Sequence, residues 1–222
     1  MTEMTGRFTR QEETANWLSH FTGAILASAG LTLMIVASAL KGNAWHVVST
    51  AIFGSTMVML YFSSAVAHGL PAGRLKQIFF VVDQAAIFLL IAGTYTPLAL
   101  VALHGTIGWV LFGLQWGMAI SGIILKIVKP NRVESGARLI DIIIYVTMGW
   151  MLIIAIIPLI KSLPLMGLLW ILIGGACYTF GIIFYRKAKF KYAHLVWHLM
   201  VLAGSISHFF AIFFYVIPIS VK

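Results

Sequence analysis

His194 and His198 lie four residues apart in the segment Lys191-Tyr-Ala-His-Leu-Val-Trp-His198. On a helix, residues i and i+4 share one face, about one turn apart. Two imidazoles placed that way can grip a single metal ion. The stretch that follows is apolar enough to cross a bilayer, where polar side chains are costly and call for a partner. A plainer reading is also open. The pair could be an interfacial basic group continuing the run Arg186-Lys-Ala-Lys-Phe-Lys191.

Further candidates stand elsewhere in the chain. His68 closes one apolar segment, and Ser64 lies one turn before it on the same face. Asp83 sits near the start of the next. Three imidazoles with a fourth position left for water are a recurrent catalytic zinc arrangement. Imidazole also suits Fe²⁺, Co²⁺ or Cu²⁺, but no thiolate or redox partner is evident, which favours Zn²⁺. His68, His194 and His198 are therefore the candidate metal ligands. Asp83 is either a fourth ligand or the group that holds and deprotonates a zinc-activated water, whose pKa falls to about 7. Ser64 is placed to hydrogen-bond that water or a substrate oxygen. Taken singly, His68 reads equally as an interfacial side chain and Asp83 as a helix–helix hydrogen-bonding residue.

The elements that position these residues follow from composition. Of 222 residues, 61% are hydrophobic and 9% charged, against about 45–50% and about 25% in soluble domains. Mean hydropathy is +0.99. An all-α membrane protein is expected, since a spanning helix needs about 20 apolar residues. Seven stretches qualify: Trp17–Leu40, Trp45–Ala67, Ile78–Leu103, Ile107–Leu125, Leu139–Ile160, Leu165–Tyr185 and Ala193–Val216. They form one transmembrane domain, 17–217, between a polar N-terminal segment, 1–16, and a short tail, 218–222. The first apolar run is too long for a signal h-region, so no cleavable signal is expected. The single cysteine, Cys177, excludes an intramolecular disulfide.

A net charge of +9 in a soluble chain would suggest nucleic acid. Here the cations fall in short connections and report orientation instead, and no nucleic-acid partner is expected. The N-terminus and the connections after spans two, four and six carry 12 of the 15 Lys and Arg residues. The positive-inside rule then puts the N-terminus in the cytoplasm and the C-terminus outside. With this topology His68, Asp83, His194 and His198 fall within roughly 10 Å of the same membrane surface. Four metal-competent side chains scattered at random would not.

Other polar residues read less sharply. Glu13, Asn16 and His20 open span one on one helical face and suit a supporting shell, an entrance, or simple capping. Asp141 beside Arg138 suits an ion pair at a helix start. His208 lies deep in span seven and off the His198 face, where packing or hydrogen bonding is the better reading. His46 and His104 belong to the opposite side. Trp17, Trp45, Trp109 and Tyr185 read as interfacial anchors. Gly113, Gly117 and Ser121 form a small-residue stripe expected to pack inside the bundle. Pro97 is expected to kink span three.

At Glu13-Thr-Ala-Asn16-Trp-Leu-Ser-His20, Ser64-Ala-Val-Ala-His68, Asp83-Gln-Ala-Ala through Thr-Tyr-Thr-Pro97, and His194-Leu-Val-Trp-His198, the chain resembles the haemolysin III family. That family is grouped with the adiponectin and progestin receptors and, more distantly, with the alkaline ceramidases. The resemblance implies a zinc ion on His68, His194 and His198, with Asp83 and Ser64 beside its water. It also implies hydrolysis of a lipid amide or ester, with membrane lipids as partners. A sensor with structural zinc and a membrane-damaging protein are the alternatives. The oligomeric state has no signal in the sequence.

Overall fold

The computed structural model describes residues 8–129, 138–186 and 190–221. Arg7, Arg132, Lys187, Lys189 and Lys222, among the cations counted above for topology, lie outside them. The described residues are helical throughout, with short connections and no strand. Helix α1 runs Arg10–Lys41, α2 Ala44–Gly69 and α3 Arg74–Pro97, which continues as a π-helical segment to Leu103. Then come α4 (Gly105–Val128), α5 (Leu139–Trp150), a 3₁₀ stretch (Met151–Ala155), α6 (Ile156–Ser162), α7 (Leu165–Arg186) and α8 (Ala193–Ala211). Helices α5 and α6 form one span, giving seven helices long and apolar enough to cross a membrane.

The ends are fixed by local chemistry. Thr9 and Glu12 cap α1 reciprocally: Glu12 N–H donates to Thr9 Oγ1 at 3.3 Å and Thr9 N–H to Glu12 Oε2 at 3.0 Å. The first helix therefore starts at Arg10, seven residues before its apolar run. Asn43 caps α2 by accepting from Trp45 N–H at 3.0 Å. Along α1 the inward face is Asn16, His20, Gly23, Ala27, Gly30, Met34 and Ser38. Gly23 is needed there, because a Cβ would stand 2.6 Å from the Tyr61 ring of α2. Such close approach is how membrane helices gain packing contacts when burial from water offers none.

Broken backbone in the membrane must be re-satisfied from within. Span five breaks after Trp150, and Tyr95 closes the break. Its hydroxyl donates to Gly149 O at 2.6 Å and accepts from Leu152 N–H at 3.0 Å. At Pro97, where an amide hydrogen is missing, span three changes to π-helical winding.

Two expectations are corrected. Gly113, Gly117 and Ser121 face outward, with nothing near where a Cβ would stand on either glycine. The packed face of α4 is instead Gly108, Leu111, Gln115, Ala119, Gly122 and Lys126. Tyr185 is no interfacial anchor: it is 7% exposed and turned inward against Trp197. Trp45 and Trp109 are exposed, as anchors should be. Asp141 pairs with Arg138 at 3.0 Å, and also with the fully buried Lys126 at 2.6 Å.

Candidate metal centre

The last turn of α2, the first two turns of α8 and the start of α1 meet at one end of the bundle. His68 comes from α2, and His194 and His198 from α8. All three are buried, and one nitrogen from each lies within 4.8 Å of the others. Ring centroids are 4.5 Å apart for His194 and His198, 5.0 Å for His68 and His198, and 5.2 Å for His68 and His194. The interfacial reading of the pair is thereby displaced: both histidines face inward.

Hydrogen bonds set the tautomers. Glu13 Oε2 accepts from His68 Nδ1 at 2.5 Å, which leaves the ring's lone pair on Nε2. The Ser19 hydroxyl donates its one proton to Asn16 O at 2.7 Å. Its oxygen must therefore accept from His198 Nδ1, 3.0 Å away, so His198 also carries its lone pair on Nε2. Metal-binding histidines are typically oriented through the other ring nitrogen in this way. The group could hold one ion. Ser19 carried no signal in the sequence, whereas Glu13 did, through its spacing to Asn16 and His20.

The start of α1 also holds the two supporting elements together. Glu13 Oε1 pairs with Lys76 Nζ at 3.0 Å, and Lys76 donates to Ala67 O and Leu70 O at 2.9 and 3.1 Å. Those carbonyls belong to the C-terminal turn of α2, where a cation is favoured. Glu12 accepts from the backbone N–H of Tyr192 at 3.0 Å. Tyr192 has φ +66°, a left-handed conformation uncommon for a non-glycine residue. That turn sets the entry of α8 and so the position of His194. Phe8 lies over His194 and His68, with ring centroids 4.7 and 5.7 Å away.

His20 adds a fourth imidazole. It stacks on His198 at 3.5 Å with a 10° interplanar angle. Its ring nitrogens and the side chain of Asn16 have no hydrogen-bond partner among the described residues. Asp83 on α3 and Ser64 on α2 come to the same place. They border a small cavity of about 20 Å³ together with His20, His194 and His198. Asp83 is not part of the tight three-nitrogen group. Leu60, Ile87, Trp197 and Val201 line this cavity and also a second, almost wholly apolar one of about 80 Å³. The larger cavity runs along the bundle between spans five and six, where Gly149 and Gly175 leave open space.

A seven-helix membrane bundle with a buried three-histidine group at one end is thus the class that fold and site define. The model of haemolysin-III-related proteins matches residues 8–209. The chain is 40% identical over 220 residues to Hemolysin-3 of Bacillus cereus, covering 98% of this chain and 99% of that protein. It is 40% identical over 212 residues to a Hemolysin-3 homolog of Bacillus subtilis (strain 168), covering 96% and 98%. The human monocyte to macrophage differentiation factor is 24% identical over 218 residues, covering 95% and 87%. No solved structure matches. The chain belongs to the haemolysin III family.

Proposed function

We propose that this protein is a zinc-dependent hydrolase of lipid amide or ester bonds, working from the cytoplasmic leaflet of the cell membrane. The observation that carries the reading is a pair of neighbouring cavities with four lining residues in common. The smaller is bordered by His194, His198, Asp83 and Ser64, and the larger, almost wholly apolar, shares Leu60, Ile87, Trp197 and Val201 with it. Three imidazoles without a thiolate suit zinc. The hydrogen bonds on Nδ1 of His68 and His198 turn both Nε2 lone pairs to the ion's use. When bound, zinc supplies Lewis acidity toward a carbonyl and acidifies water to a pKa near 7.

The chain's own residues would do the rest. Asp83, outside the three-nitrogen group, is free of a ligand's duty and takes the proton of the attacking water, then returns it to the leaving nitrogen or oxygen. Ser64, on the wall of the same cavity, is placed to hydrogen-bond that water or a substrate oxygen. Trp197, Val201, Leu60 and Ile87 exclude bulk water and guide an acyl chain entering sideways. The inward-facing orientation rests on the Lys and Arg distribution.

The test is direct. Purified protein should carry about one zinc per chain and release fatty acid from an N-acyl lipid or ceramide. Asp83→Asn should keep the zinc and lose the release. Equal inertness of both proteins across a broad lipid panel overturns the catalytic reading and leaves a structural zinc. The name of the Bacillus relatives, Hemolysin-3, favours a second reading, membrane damage. Dye release from liposomes by the wild type, undiminished when all three histidines are replaced, would establish it independently of hydrolysis.

A further inference from the structure

The polar groups lining the apolar cavity are nearly all spoken for. Thr94 donates to Leu90 O at 2.7 Å, Tyr95 to Gly149 O at 2.6 Å, Tyr145 to Gln84 O at 2.8 Å and Thr179 to Gly175 O at 2.7 Å. Tyr178 shares a 2.9 Å hydrogen bond with Ser205. His208 differs. Its Nδ1 lies 2.8 Å from Gly204 O. A carbonyl only accepts, so Nδ1 carries the proton and Nε2 carries a lone pair. No donor meets Nε2 among the described residues.

The ring is held in a made-to-fit seat. Tyr178 stacks on it with centroids 5.3 Å apart and planes 10° off parallel. A Cβ on Gly174 of α7 would stand 2.3 Å from the imidazole, and one on Gly204 of α8 would stand 2.5 Å from Tyr178. Two facing helices thus forgo side chains to admit one tyrosine–histidine pair beside an apolar cavity. An acceptor on the wall of an apolar cavity calls for a donor.

We propose that the cavity selects an acyl chain carrying a hydroxyl group, which donates a hydrogen bond to His208 Nε2. The proposal rests on the lipid-hydrolase reading, because it takes the head group to lie at the histidine end. His208 is ten residues beyond His198. At 1.5 Å per residue that is about 15 Å, or roughly twelve chain carbons at ~1.25 Å each. The preferred hydroxyl therefore sits about 10 to 14 carbons from the carboxyl end. An unsubstituted chain leaves Nε2 without a donor.

The experiment reads binding, not turnover. Purified full-length protein in detergent is titrated with stearate and with 2-, 7-, 12- and 17-hydroxystearate, each displacing a fluorescent fatty acid. The 12-hydroxy acid should bind at least ~10-fold more tightly than stearate and the other isomers. His208→Leu should abolish that preference while stearate binding holds or improves. A flat positional series in the wild type overturns the proposal without recourse to any variant, and so does a preference that survives His208→Leu. Selective binding with no hydrolysis of any lipid would sink the hydrolase reading alone. Hydrolysis of plain N-acyl lipids with a flat series would sink this proposal alone.

Discussion

Helix α2 carries a buried histidine at each end, and the two are wired oppositely. At its start, His46 Nε2 donates to Ile219 O at 2.8 Å, and its Nδ1 accepts from Asn43 N–H at 3.1 Å. Both nitrogens are consumed by backbone, so His46 is a latch between the α2 cap and the chain's C-terminal end. At the other end, Glu13 takes His68 Nδ1 and turns the lone pair of Nε2 toward two more imidazoles. Burial is alike, 1% and 3% exposed. What differs is the tautomer and what the lone pair faces. In a membrane protein a buried histidine is thus read by the accounting of its two nitrogens, more than by its depth.

The contrast can be broken by substitution. His194→Ala should take bound zinc from about one per chain to near zero by elemental analysis, whereas His46→Ala should leave it unchanged. Retention of zinc in the first would end the metal reading. Asp83→Asn should lower lipid hydrolysis by about 10²–10⁴-fold at undiminished zinc content. If hydrolysis survives, the proton is handled elsewhere. Glu13→Gln keeps the side chain's shape but weakens its hold on His68. Chelator competition should then show zinc affinity reduced by about 10–100-fold. An unaltered affinity would make Glu13 a mere strap to Lys76. His46→Ala should lower stability by about 1–3 kcal/mol, seen as an earlier thermal midpoint, because Ile219 O and Asn43 N–H lose their partner. A matching loss of zinc would erase the distinction between the two ends.

The seven spans were legible because bilayer length imposes a run that few other constraints produce. The histidine group was legible because imidazole is rare in such runs and topology assigned all three to one end. Faces were harder. Gly113 and Gly117 announce that a close approach is possible, not that a neighbour is present, and here they face outward. Tyr185 at a span end looked like an anchor because sequence gives depth without azimuth. Lys126 was counted among the connecting cations, yet it is buried and holds Gln84 Oε1 at 2.5 Å beside its Asp141 pair. Its spacing from Gln115, Ala119 and Gly122 on one helical face was the available signal. Ser19 had none, since its role depends on a helix 179 residues away in sequence.

Phe8 over the imidazoles has a kinetic consequence. An ion held by these histidines and leaving past that ring would need the start of α1 to swing aside, breaking the Glu12 and Glu13 contacts with Tyr192, His68 and Lys76. Stripping by a chelator should then proceed at a rate independent of chelator concentration. Residence time would be written by the first helix, and the metal acquired during synthesis would be the one the protein keeps.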